Sequence, residues 1–282
     1  MLEYKSDGND IKVMGLNDFN LDETFECGQC FRWNKESDGG YVGVAAGRIL
    51  HILSQDDCII LKNTSLSEFE EFWKNYFDLD LDYTCIKSEL SNLHPNLKLA
   101  CNYAPGIKIL HQDSWEALCS FIISQNNNIP RIKGIVERLC ENFGHAVGDK
   151  MFSFPNPNVI AKLDEEDLKP IRSGFRAKYI LDAARKIVNG DIIFKDISKM
   201  PLNEARDTLM QIKGVGPKVA ECTLLYGFYR TDAFPIDTWM KKAMAIMFPG
   251  CKAKDFGLYA GIAQQYIFHY SRMNPQVFKQ AE

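Results

Sequence analysis

A lysine and a carboxylate, Lys218 and Asp237, have the types and setting of a nucleophile and the charge that steadies its reaction. Lys218 follows two glycines separated by one apolar residue, in Ile212-Lys-Gly-Val-Gly-Pro-Lys-Val-Ala-Glu-Cys222, and Asp237 lies in Phe234-Pro-Ile-Asp-Thr238. An amine attacks carbon only when unprotonated, and an ordinary lysine, with a pKa of about 10.4, is only about 0.1% neutral near pH 7.4. Burial and the positive end of a helix both favour the neutral amine. Lys218 is expected in a helix's first turn, where taken alone it would be a solvated surface charge. Asp237 precedes a helix predicted over 238–247 and is expected to cap it. A capping carboxylate is rigid and ionised, which suits it to stabilise a positive charge that develops during a reaction.

Gly214 and Gly216 are expected to take backbone angles that a side chain would forbid and to present N–H groups outward beside a helix N-terminus, an arrangement that binds anions. The same glycines would also serve a plain turn between two packed helices. Leu209, Met210 and Ile212 end one apolar-periodic segment, and Val219, Ala220, Thr223 and Leu224 begin another. A helix-hairpin-helix therefore fits better.

From about Phe19 to Phe268 the chain resembles the helix-hairpin-helix DNA glycosylases, and within them the 8-oxoguanine DNA glycosylases. The resemblance is carried by Cys-Gly-Gln-Cys-Phe-Arg-Trp33, Ser124-Gln-Asn-Asn-Asn-Ile-Pro-Arg131, Gly174-Phe-Arg-Ala-Lys-Tyr179, the hairpin, Pro-Ile-Asp237 and Tyr-Ala-Gly-Ile-Ala-Gln264, in that order. It implies a TATA-binding-protein-like antiparallel sheet domain followed by an all-α catalytic domain. It also implies excision of 8-oxoguanine opposite cytosine through a Schiff base on Lys218, assisted by Asp237, and then elimination that cuts the strand.

The target base must leave the helical stack to be excised. The resemblance assigns its recognition to Gly28, whose carbonyl accepts the N7 hydrogen that guanine lacks, to Gln264 on the Watson–Crick edge, and to Phe268 and Cys222 as stacking walls. Phe268 and Cys222 would otherwise read as ordinary core. Asn126, Arg131 and Arg176 correspond to residues that fill the gap and bond the orphaned cytosine, and Phe175 to the wedge that kinks the duplex. The pattern breaks at Trp239, where better-known members carry a phosphate-contacting histidine, and near Ser271, which lacks that histidine's acidic partner. Two alternatives share the scaffold: an alkylated-purine glycosylase, which works without the lysine, and a noncatalytic DNA-binding module, which needs only the two hairpin glycines.

With 282 residues, 46% hydrophobic and 25% charged, the chain has the composition of a globular protein of one or two domains. No apolar run is long enough to span a membrane, and the first residues lack a signal-peptide pattern, so an intracellular, cytoplasmic protein is expected, nucleoid-associated in a prokaryote. Nine cysteines fit a reducing compartment. Cys27 and Cys30 form a lone CxxC, too few ligands for zinc. Only Cys251 follows Asp237, which excludes the iron–sulfur branch of the glycosylases, and no metal or organic cofactor is expected. The net charge of −4 calls for local cations facing phosphate, and Lys169, Arg172, Arg176, Lys178, Arg185 and Lys186 are expected to supply a basic region for double-stranded DNA. A monomer suffices for this chemistry.

These groups need a frame. Alternating apolar residues over 41–44, 49–53 and 58–61 predict antiparallel strands, and Leu66, Phe69, Phe72, Trp73 and Tyr76 predict a helix against them. The expected class is α+β, with a sheet-plus-helix domain over 1–105 and a helical domain over 106–282. Within the latter, Asp113-Ser-Trp-Glu116 predicts a capping-box start, Ile129 opens a helix that Gly144 ends, and another runs from about 176 to 188.

Overall fold

A computed structural model describes residues 2–16 and 18–278. Six antiparallel strands form one sheet: β1 Glu3–Asp7, β2 Asp10–Met14, β3 Trp33–Lys35, β4 Tyr41–Ala45, β5 Arg48–Gln55 and β6 Cys58–Lys62, in the spatial order β1-β2-β6-β5-β4-β3. The three strands of the expected pattern are β4, β5 and β6; β1, β2 and β3 are additional. β1 is legible only in place, because its sequence Glu-Tyr-Lys-Ser-Asp is largely exposed on an edge and carries no apolar alternation.

One face of the sheet packs on α1, Leu21–Glu26, and on the helical stretch from Leu66 to Tyr76, whose middle, Phe69–Trp73, is a π-helix. The extra residue per turn lets Phe69, Trp73, Tyr76 and Phe77 all enter the core. Trp33 stacks on Phe25 with ring centroids 4.4 Å apart and donates its indole N–H to the Tyr76 hydroxyl at 2.9 Å. An aromatic wedge thus joins the edge strand to the helices.

The rest is almost wholly helical: α2 Tyr83–Leu93, α3 Pro95–Tyr103, α4 Ser114–Ser124, α5 Ile129–Phe143, α6 Ala177–Val188, α7 Leu202–Leu209, α8 Pro217–Gly227, α9 Thr238–Met247 and α10 Ala260–Met273. A second apolar core, centred on α4 and α8, unites them. Tyr83, Ile86 and Leu90 of α2 and Leu97 and Ala100 of α3 belong to this helical core, although they precede residue 105. Asp113 caps α4 by accepting the Trp115 and Glu116 N–H groups at 3.0 and 2.9 Å. The expected capping box is only half formed, because the Glu116 carboxylate turns to Arg32 at 3.4 Å. Among the described residues no helix is long and apolar enough to cross a membrane.

Candidate active site

Lys218 and Asp237 enter one recess from the N-terminal ends of α8 and α9. Its inner part, with about 310 Å³ of empty space partly continuous with solvent, lies between Gly28, Phe121, Lys218, Cys222, Tyr226, Pro235, Asp237, Gln264 and Phe268. Catalytic and base-recognition candidates drawn from four distant segments therefore line one space. The Lys218 Nζ donates to the Ser124 hydroxyl at 3.3 Å and lies 5.2 Å from the centroid of the Phe121 ring. Ser124 in turn donates to the Phe121 carbonyl at 2.8 Å, so its oxygen is directed to accept from the amine. Asp237 caps α9 as expected, its Oδ1 accepting the Met240 N–H at 2.8 Å.

The base-recognition candidates differ in what holds them. Gly28 has φ = 91°, a left-handed conformation, and a Cβ there would stand 3.5 Å from the Phe268 ring and 3.3 Å from the Arg272 guanidinium. The left-handed backbone thus favours glycine, while a small shift of the Arg272 side chain would make room for a methyl. Gln264 is 4% exposed, yet its Oε1 has no hydrogen-bond partner among the described residues. Such an acceptor costs stability unless something entering the recess satisfies it. Cys222 is buried, and burial pushes its thiol up to about 11, with Lys218 acting in the opposite direction. It offers a neutral, polarizable wall.

Three residues outside the expected set hold this recognition surface together. Gln29 is fully buried; its amide donates to the Thr24 and Lys108 carbonyls at 2.9 and 2.7 Å and accepts from the Leu110 N–H at 3.0 Å. Gln265 donates to the Cys27 carbonyl at 3.2 Å and accepts from the Tyr226 hydroxyl. Two adjacent glutamines in the sequence, 264 and 265, therefore face different surroundings, one lining the recess with its Oε1 unsatisfied and one fully bonded. Tyr226 is the third. Cys27 and Cys30 are buried, with burial raising the Cys27 thiol to about 12 and Cys30 well above its ordinary value. Both are packing groups rather than reactive thiols. No cluster of three or more metal-ligating side chains occurs among the described residues.

The hairpin matches expectation at one glycine and not at the other. Gly214 has φ = 79°, and a Cβ there would stand 2.4 Å from Tyr179 ring atoms. Gly216 has φ = −98° and ψ = −179°, an extended conformation open to any residue, and no atom lies within 4 Å of its Cβ position. Its conformational freedom is not used; what the missing side chain leaves is open space at the mouth of α8. Asp182 anchors the hairpin by accepting the Lys213 N–H at 2.7 Å.

On the other side of the recess, Asn126 is exposed in a left-handed turn with φ = 48°, Asn128 caps α5, and Arg131 projects outward from its first turn. Phe175 is 49% exposed, as a wedge requires. Arg176 departs from the expected placement: it is 2% exposed and donates to the carbonyls of Ser173 at 3.1 Å, Gln125 at 3.0 Å and Asn126 at 3.0 Å. It braces the Asn126 turn rather than reaching out. The expected basic region is depleted in the same way. Arg185 bonds the Ala161 and Leu163 carbonyls, Lys186 pairs with Asp182, and Lys169 with Glu166. Trp239 is 38% exposed and packs by its edge on Phe278, while Ser271 is fully buried against Met247.

Fold and recess together define a helix-hairpin-helix protein of base-excision type, and the comparisons agree. Residues 13–118 match the family model for the 8-oxoguanine DNA glycosylase N-terminal domain, and residues 119–255 that for the HhH-GPD superfamily of base excision DNA repair proteins. The structure of MBOgg1 in complex with a low-affinity DNA ligand superposes with a TM-score of 0.92 at 44% identity, covering 98% of this chain and 99% of that one. The 8-oxoguanine glycosylase/lyase of Clostridium acetobutylicum, bound to double-stranded DNA with cytosine opposite 8-oxoguanine, superposes at 0.89 with 37% identity, covering 98% of each chain. The N-glycosylase/DNA lyase of Saccharomyces cerevisiae is 32% identical in an alignment 252 residues long that covers 79% of this chain and 66% of the yeast protein. The chain belongs to the 8-oxoguanine DNA glycosylase family.

Proposed function

We propose that this protein is a bifunctional DNA glycosylase that excises 8-oxoguanine from duplex DNA, with preference for cytosine opposite, and then cleaves the strand as a lyase. The observation that carries the reading is the convergence of Lys218, Asp237, Gly28, Phe268 and Gln264, whose buried Oε1 is unsatisfied among the described residues, on one recess. A noncatalytic module has no use for that convergence, and an alkylated-purine glycosylase has no use for the amine.

The base, flipped from the stack, enters between Phe268 and Cys222, with Gln264 on its Watson–Crick edge and the Gly28 carbonyl accepting its N7 hydrogen. Guanine lacks that hydrogen and leaves the acceptor unpaired, at a cost of about 1–3 kcal/mol. The lone pair on the Lys218 Nζ forms a bond to C1′, and the C1′–N9 electron pair leaves with the purine, which takes up a proton. Asp237 stabilises the positive charge on the sugar as this bond breaks. Opening of the ring at C1′–O4′, with loss of a proton from nitrogen, gives the imine. Removal of a 2′ proton then expels the 3′ phosphate. Ser124 positions the amine by accepting one of its N–H groups.

Support for the opposite-strand contacts comes from the exposed Arg131, Asn126 and Phe175. For Arg176 to touch a cytosine it must first release its carbonyls. An intracellular monomer acting on double-stranded DNA, with a sheet-bearing N-terminal domain and a helical catalytic domain, completes the reading.

The test is borohydride trapping on a duplex with one 8-oxoguanine opposite cytosine. A covalent adduct is expected with the lesion and none with Lys218→Gln or undamaged DNA. Excision that persists in Lys218→Gln would make water the nucleophile and overturn the assignment of Lys218.

A further inference from the structure

The outer part of the recess, where Gly28, Lys218, Asp237, Trp239 and Phe268 meet, contains one more cation, Arg272. It stands in the last turn of α10, one turn beyond Phe268. A helix's negative end accounts for a cation somewhere on its last turn. It does not account for where this side chain goes, which is inward, with Nη1 3.3 Å from the position of a Cβ on Gly28. The guanidinium thus stands beside Gly28 in the outer part of the recess. Among the described residues no ion pair forms with it, although Asp237 lines the same mouth.

A nucleotide turned into this recess brings a phosphate on each side, and these remain at the mouth. Ser124, Asn127, Asn128 and Trp239, which also line that mouth, bring no charge, and Lys218 is reserved for attack at the sugar. A guanidinium is suited to a phosphate because its fixed fork of donors matches two oxygens. We propose that Arg272 is the residue that binds a phosphate flanking the flipped nucleotide, and that it leaves Gly28 to do so as the base enters. The inference rests on the base-excision reading above.

The experiment measures binding in a Lys218→Gln background, which cannot complete the reaction, to a duplex with one 8-oxoguanine opposite cytosine. The duplex is made with native phosphates, or with an uncharged methylphosphonate on the 5′ or the 3′ side of the lesion. On native DNA, Arg272→Gln is expected to weaken binding about tenfold and to reduce the slope of log affinity against log salt by about one. With the contacted phosphate neutralised, the parent and Arg272→Gln should bind alike, and which methylphosphonate does this identifies the phosphate. An undiminished difference on both neutralised duplexes, or native affinity equal to the parent's, overturns the proposal. Thermal melting checks that Arg272→Gln is folded. If it is not, Arg272→Lys decides: it should lose affinity on neutralisation of the same phosphate, and indifference to both neutralisations rejects the idea. Failure of the base-excision reading would show separately, as absent trapping by the Lys218 protein and equal binding of damaged and undamaged DNA.

Discussion

The Gln265 amide donates to the Cys27 carbonyl at 3.2 Å, tying α10 to the loop that carries Gly28. Gln264 and Gly28, from opposite ends of the chain, are therefore held in register by the buried residue next to each. Gln265→Leu removes this donor and strands the Tyr226 hydroxyl that Gln265 accepts. A loss of about 2–4 kcal/mol is expected from two unsatisfied buried groups. The preference for 8-oxoguanine over guanine should fall with it, as read by chemical denaturation and by excision-rate ratios.

Gly28→Ala tests the floor directly. The new methyl sits in a left-handed conformation and 3.5 Å from the Phe268 ring. Stability should fall by about 1–2 kcal/mol, while single-turnover excision falls at least tenfold because the base loses its place rather than the fold. Equal losses in stability and none in excision would remove Gly28 from the recess chemistry.

Arg176→Ala would leave the Ser173, Gln125 and Asn126 carbonyls without their donor. A destabilisation of roughly 2–4 kcal/mol is expected, together with loss of order in the Asn126 turn. Arg131→Ala, at an exposed position, should leave the melting temperature unchanged and shift excision away from cytosine-paired lesions. The contrast separates bracing from readout.

Glu116 carries a pH signature. Burial raises its carboxyl from 4.5 to about 7, against the opposing pull of Arg32. A group with a raised folded-state pKa binds its proton more tightly when folded. Its stabilising contribution is full below about 4.5 and is lost as pH rises through about 7. The stability of the parent relative to Glu116→Gln should therefore decline across that window, by up to about 3 kcal/mol. Paired denaturation curves from pH 4 to 8 would show it; a flat difference would mean that Arg32 keeps the carboxylate ionised.

The sequence by itself determined the parts whose signals are local. Strand alternation around Val42, Ile52 and Ile60, the cap at Asp237, and the hairpin before Lys218 are properties of short segments, set by side-chain period and turn chemistry. The resemblance added the roles. Only the tertiary structure decided which of several similar residues faces the recess. Gln264 and Gln265 are adjacent and identical in chemistry, yet helical rotation turns one to the recess and bonds the other into the core. Arg131 and Arg176 are both arginines in the motifs, yet the turn at Asn126 consumes the second. Arg272 carried no signal at all, because its meaning arises from lying over Gly28, far away in the chain and brought near by the packing of α10 on the loop after α1. Burial and partnership are properties of the assembled fold, and they separate residues that do chemistry from residues that hold them in place.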